Sequence, residues 1–296
     1  MRNPFARIMK PWYIYRPWNV VLRLFCKKPD FSTTKTIHMA WGGRLDFDIA
    51  KAIGWGAYTT GVVDLALSEL ICCLVKAGDS VLDIGANVGG ITCLMSRVVG
   101  MSGSVEAFEP HPDIFKKLTS NVAKNSTAAE NVVRLHEIAL SEQAGRTTLV
   151  EDPAAASDGQ ASIGEARQGF IVYEVPLGRL DKIVQDKQYS VMKLDVEGHE
   201  LAVLKGAGAL ISGKQIKNIL FEDHVGQDSD VCKFLVANGY FVYSFGWNLK
   251  GVMVIPIKSG NLNNKFEAPN YWASSEYIPT PAFFPGWKSL REVGKN

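Results

Sequence analysis

The chain has 296 residues, 47% of them hydrophobic and 21% charged, with a formal net charge of +2. That balance is ordinary for a globular protein and supplies none of the bulk positive charge that nucleic-acid binding draws on. The run Val20-Val21-Leu22 is cut by Arg23 and is too short for a signal sequence or a bilayer span, so a cytoplasmic protein is expected.

The first 30 residues carry Arg2, Arg7, Lys10, Arg16, Arg23, Lys27 and Lys28 against Asp30 alone, interleaved with Trp12, Tyr13, Tyr15, Trp18 and Phe25. Such a basic, aromatic arm fits a strap over a sheet edge, or a peripheral contact with an anionic membrane. Residues 36–50 alternate apolar and polar on both sides of Gly42-Gly43, which predicts a β-hairpin with a two-residue turn. A helix is expected over 61–76, so residues 1–60 read as an N-terminal extension. From residue 80 the chain alternates strand and helix signals, with strands expected at 80–84, 104–108, 132–137, 190–194, 217–221, 240–244 and 252–256. Between them Pro112 opens a helix that repeats Phe115, Leu118 and Val122. Ser229 caps another, carrying Val231, Phe234 and Leu235 and ending at Gly239. This alternation predicts one α/β domain over 61–258, a mostly parallel sheet with helices on both faces, and leaves 259–296 as a tail. The tail aromatics Tyr277, Phe283, Phe284 and Trp287 suit packing on the body or contacts with a second copy, and no oligomeric state follows from them. Segment 152–169, rich in Ala, Gly and Ser, reads as a loop between extended runs at 146–151 and 170–176. The cysteines Cys26, Cys72, Cys73, Cys93 and Cys232 form neither a CxxC pair nor an even framework, and are expected to be small core residues without chemistry.

Ligands of parallel sheets sit beyond the carboxyl ends of the strands. The stretch VLDIGANVGG, residues 81–90, is a strand entering a glycine turn. A dinucleotide fingerprint wants a glycine at its middle position, and Asn87 stands there instead. A side chain at that position crowds a pyrophosphate, and Asp83 at the strand end repels one. Both suit S-adenosylmethionine (SAM), which has a sulfonium and an amino-acid end but no phosphates. Gly85 and Gly89 permit the tight turn. The next strand, VEAFEP, ends in Glu109, an acceptor for both ribose hydroxyls. Further on, VMKLDVEGHELAVLKGA runs into Asp195, Glu197, His199 and Glu200, and NILFEDH ends in Glu222, Asp223 and His224. Two strands thus deliver carboxylates and imidazoles to one rim.

These motifs together resemble the FkbM family of SAM-dependent methyltransferases, over about residues 38–256. The resemblance implies a class I SAM-methyltransferase (Rossmann-like) fold, a seven-stranded sheet whose last strand is antiparallel, and methyl transfer usually to oxygen. It implies a sugar hydroxyl or glycosylated compound as acceptor. It places Asp83, Gly85, Ala86, Asn87 and Gly89 around the methionine portion, with Asp195 nearby, Glu109 on the ribose, and Ile138, Ala139 and Leu140 at the adenine. A hydroxyl acceptor needs help to lose its proton. His199 and His224 are the expected bases, with Asp195 and Glu222 orienting an imidazole or taking the proton. Asp195 and Glu222 also resemble the Mg²⁺ carboxylates of catechol-type O-methyltransferases, which would make a divalent cation a second activator. Two alternatives stay open: a non-catalytic SAM- or sugar-binding member of the fold, and a nicotinamide oxidoreductase.

Overall fold

The computed structural model describes residues 13–19, 21, 25–125, 132–153, 161–165, 168–248, 250–257, 270–287 and 289–293. Much of the basic arm, including Arg2, Arg7, Lys10, Trp12 and Arg23, and much of the 152–169 loop lie outside the described residues. Within the arm, Tyr13 is buried while Trp18 and Phe25 are exposed, and Arg16 donates to the Tyr58 carbonyl at 2.7 Å.

The hairpin forms where the alternation predicts, as β1 (Thr34–His38) and β2 (Arg44–Asp48). Its turn is longer than the Gly42-Gly43 pair suggests. Met39 N–H donates to Gly43 O, and Gly42, at φ +92°, donates to Met39 O. The longer turn carries Trp41, which is 2% exposed and packs in the core. A helix not expected, α1 (Ala52–Thr60), precedes the one expected over 61–76, which forms as the shorter α2 (Leu65–Leu74). Gly61 ends the first in a left-handed conformation at φ +80°, and the Asp64 side chain caps the second by accepting from Leu67 N–H at 2.9 Å.

The main sheet begins with β3 (Ser80–Ile84), α3 (Gly90–Val99), β4 (Ser104–Phe108), α4 (Pro112–Asn125) and β5 (Val133–His136). Four strands then build a smaller sheet: β6 (Ala139–Leu140), β7 (Gly145–Glu151), β8 (Ala161–Ile163) and β9 (Ile171–Gly178), in the order β6-β9-β7-β8. The chain returns through α5 (Leu180–Ile183), β10 (Tyr189–Leu194), α6 (Glu200–Gly206), α7 (Gly208–Ser212), β11 (Ile216–Glu222) and α8 (Asp230–Ala237). It finishes with β12 (Phe241–Asn248), β13 (Gly251–Pro256), β14 (Asn270–Ser274), β15 (Ala282–Pro285) and α9 (Ser289–Val293). The period-two geometry of a strand sorts the core. Val81, Val191 and Leu220 face the layer of α2, α3 and the hairpin, whereas Leu82, Ile84, Met192, Leu194 and Phe221 face α6, α7 and α8. With both faces covered, β10 is buried at every position from Val191 to Leu194.

Among the described residues the main sheet has nine strands in the order β15-β13-β12-β14-β11-β10-β3-β4-β5. β5, β4, β3, β10 and β11 run parallel. This is the doubly wound α/β arrangement the sequence implies, with two corrections. The strand count exceeds seven. The antiparallel strand lying between its parallel neighbours β11 and β12 is β14, from the segment read as a tail, and not residues 252–256. The latter form β13, outside β12. Trp272 explains why β14 takes the inner slot: it is 1% exposed and its Nε1–H donates to Asn218 Oδ1 at 2.8 Å. The cysteines are also not all core residues, since Cys26 and Cys73 are exposed and only Cys93 and Cys232 are buried.

Removing residues 259–296 should therefore abolish the cooperative fold rather than trim a tail. Loss of the Trp272 side chain alone is worth about 3–5 kcal/mol, a large share of a typical total of about 5–15 kcal/mol. Urea unfolding followed by circular dichroism checks this, and a cooperative transition at unchanged midpoint in the truncated chain would contradict it.

Candidate active site

The register puts the last residues of the parallel strands on one rim: Leu194 pairs with Ile84, Ile84 with Phe108, and Leu194 with Phe221. The turn after β3 leaves this rim with Gly85 at φ +76°, where a Cβ would lie 1.8 Å from the Asp195 carbonyl oxygen. Only glycine fits so close a backbone approach. Asn87 follows at φ +50°, and Gly89 at φ +92° starts α3. The turn is held from behind by Asn121, fully buried on α4, whose amide donates to Val88 O at 2.8 Å and accepts from Asp46 N–H at 2.8 Å.

Two cavities open on the rim. The larger, about 210 Å³, is walled by Gly85, Asn87, Phe108, Glu109 and Pro110 on one side, by Ile138, Ala139 and Leu140 on another, and by Leu149, Ala161 and Ile163 of the small sheet. The smaller, about 120 Å³, runs beneath Ala86, Val88 and Gly90 to Asp64, Lys193 and Asn270. Ile53, Asn87, Asp195 and Glu222 line both, so the two spaces meet there.

Glu109 is 6% exposed and accepts from Asn87 N–H at 2.8 Å and His111 N–H at 2.9 Å, one bond to each oxygen. A carboxylate has about four acceptor positions, and those left over face the larger cavity. Burial raises its proton affinity, partly offset by these two backbone donors. Asp83 does not line either cavity among their described walls. Its side chain is fully buried, accepts from Thr92 Oγ1–H at 2.6 Å, and lies 3.7 Å from Lys193 Nζ. Asp83 therefore contacts Thr92 and Lys193 behind the turn, and Gly89 is likewise not among the cavity walls.

Lys193 is the residue the sequence reading passed over. Its ammonium is buried, donates to Gly85 O at 2.5 Å, and sits 3.3 Å from Asp195 Oδ2. Burial alone would lower its pKa, but Asp195 and Asp83 outweigh it and hold the ammonium above the ordinary lysine value. The available signal was a lysine inside the apolar strand VMKL, where an unpaired charge is not tolerated. Asp64 and Asn270, joined at 3.3 Å, had no such signal because β14 brings them together from 206 residues apart.

Of the expected catalytic groups, Asp195, His199 and Glu222 line the larger cavity and His224 does not. The His224 side chain is 78% exposed and pairs with Glu222 from outside at 3.0 Å. His199 Nε2 is 3.0 Å from Ser141 Oγ, and burial lowers its pKa. Glu200 accepts from Val196 and Gly198 N–H and so fastens the turn before α6. Burial, reinforced by Asp195 and Glu197, pushes the Glu222 carboxyl up to about 7. Among the described residues no three His, Cys, Asp or Glu side chains converge as metal ligands.

Residues 83–242, just over half of the chain, match the model of the methyltransferase FkbM domain. Over 178 residues, or 59% of this chain, it is 33% identical to hexuronic acid methyltransferase AglP of Haloferax volcanii. Over 43% of this chain it is 28% identical to methyltransferase sdnD of Sordaria araneosa. The chain spans 66% and 59% of the lengths of these two relatives. Precorrin-6y C5,15-methyltransferase of Geobacter metallireducens, a solved structure, superposes with a TM-score of 0.39 at 17% identity, over 72% of this chain and 87% of that one. The glycine turn, Glu109 and both acidic strand ends fall inside the matched span, and the chain belongs to the FkbM methyltransferase family.

Proposed function

We propose that the protein transfers a methyl group from SAM to a hydroxyl oxygen of a sugar or glycosylated compound, with Glu222 accepting the proton. The observation that carries this reading is the position of Glu222 where the two cavities meet, with a carboxyl that ionises near neutral pH. The family supports methyl transfer, and the relative that acts on hexuronic acid supports a sugar-like acceptor.

The residues present fit the cofactor. Glu109 offers acceptors for ribose hydroxyls, Ile138–Leu140 and Phe108 offer an apolar wall for a purine, and the carboxylates Asp195, Glu197 and Glu222 suit a cation. A dinucleotide fits less well. Asn87 donates its backbone N–H to Glu109, and Lys193 is taken up by Gly85, Asp195 and Asp83, so neither is free for phosphate. SAM supplies an electrophilic methyl carbon on a sulfonium. The protein's part is to align the acceptor oxygen with that carbon and to take its proton. Glu222 would take the proton of the acceptor hydroxyl as its oxygen gains the methyl group, the products being a methyl ether and S-adenosylhomocysteine (SAH). His199, neutral and bonded to Ser141, is better placed to orient the acceptor than to act as base.

Calorimetry should give heat with SAH and none with NADH; the reverse result would defeat the reading. The rate should also follow the ionised form of Glu222. One pH unit below a pKa of about 7, roughly a tenth of the base is ionised. The kcat/KM of the wild type for SAM should therefore climb about tenfold between pH 6 and 8. Glu222→Gln should lose on the order of 10²-fold in kcat and flatten that limb. A limb that survives in E222Q assigns the proton acceptor elsewhere.

A further inference from the structure

The small sheet forms a wall of the larger cavity, yet little of it belongs to the fold that holds Glu109. Leu149, Ala161 and Ile163 face the same space as Phe108 and Pro110. The side chain of His111 is one link between the two. His111 is 3% exposed. Its Nδ1 accepts from the first-turn amides of α4, Asp113 N–H at 3.2 Å and Ile114 N–H at 3.4 Å. The ring proton therefore belongs on Nε2, where it donates to Glu151 Oε2 on β7 at 3.1 Å. The ring also meets Tyr173 of β9, centroid to centroid at 4.4 Å, and the Tyr173 hydroxyl donates to the same Glu151 oxygen at 3.5 Å. Glu151 is register partner to Ala161, and Leu149 to Ile163, so a hold on Glu151 is a hold on the cavity wall. The backbone of the same histidine donates to Glu109.

We propose that His111 is a positioning residue for the cofactor: one side locks the small sheet against the cavity and the other sets Glu109, so the nucleoside end is gripped only when both are in place. His111 touches no ligand itself, and the role rests on the reading that SAM fills the larger cavity. An imidazole is needed because two opposed acceptor and donor atoms must span α4 and β7. An asparagine would keep the cap on α4, for which it is well suited, but is too short to reach Glu151.

The test uses the full chain and SAH as probe. His111→Asn and Glu151→Ala should each raise the SAH dissociation constant and the KM for SAM about tenfold, the worth of one charge-assisted hydrogen bond. The kcat should stay within about twofold and Tm within about 4 °C. Glu151→Gln, which still accepts from Nε2–H, should bind SAH within about threefold of wild type. The double variant H111N/E151A should be no worse than either single one, because they break the same link. Amide exchange over 147–151 should quicken in H111N without global unfolding. SAH affinity unchanged in H111N, or losses that multiply in the double variant, would overturn the role while leaving the cofactor reading intact. Wild-type protein that does not bind SAH would overturn both.

Discussion

A buried ammonium organises the site. Taking the Lys193 charge out of water costs several kcal/mol unless its protons are met. The chain meets them with the Gly85 carbonyl at 2.5 Å, the Ile84 carbonyl at 3.4 Å and the Asp195 carboxylate at 3.3 Å, with Asp83 at 3.7 Å behind. Those partners come from the ends of two neighbouring strands, β3 and β10. The ion thus fastens the glycine turn to the acidic strand end that follows it. Gly85 can approach Asp195 because it has no Cβ, and the turn keeps that approach because Lys193 holds its carbonyl. The glycine permits the geometry and the lysine enforces it.

The sheet then decides which side chains share the rim. Parallel strands bring their carboxyl ends to one edge, which accounts for Glu109, Asp195 and Glu222. An antiparallel strand brings its first residue to the same edge. β14 begins beside Glu222, paired with Asn270, and Asn270 bonds Asp64 at the cap of α2. One strand inserted in reverse thereby adds two polar groups to the smaller cavity that no local pattern announces.

This separates what could be read from residues alone from what could not. Apolar runs and alternation located β3, β4, β10 and β11 to within a residue or two, and the acidic residues after them gave the rim. Position within a single strand could not say that Asp83 faces inward, because that depends on Lys193 standing opposite it in the neighbouring strand. Nor could it rank two apolar stretches, 251–256 and 270–274, for one antiparallel slot. Trp272 settles that by its burial against Asn218, a long-range fact. His111 was hidden for the same reason: its partners Glu151 and Tyr173 lie 40 and more residues away.

The charges on the rim also order the proposed reaction. Glu222 is held above the usual carboxylate range first by burial and then by the carboxylates around it. The Lys193 ammonium does not cancel them, being spent on the turn. A sulfonium arriving near this group favours the ionised carboxylate, as any opposite charge does within a few ångströms. By linkage the ionised carboxylate favours the sulfonium in equal measure. In the proposed reaction, cofactor loading and preparation of the base would be a single electrostatic event. In the proposed reaction, loss of the positive charge on methyl transfer would return Glu222 to its higher pKa, which would stabilise the proton taken from the acceptor and weaken the hold on the neutral sulfide.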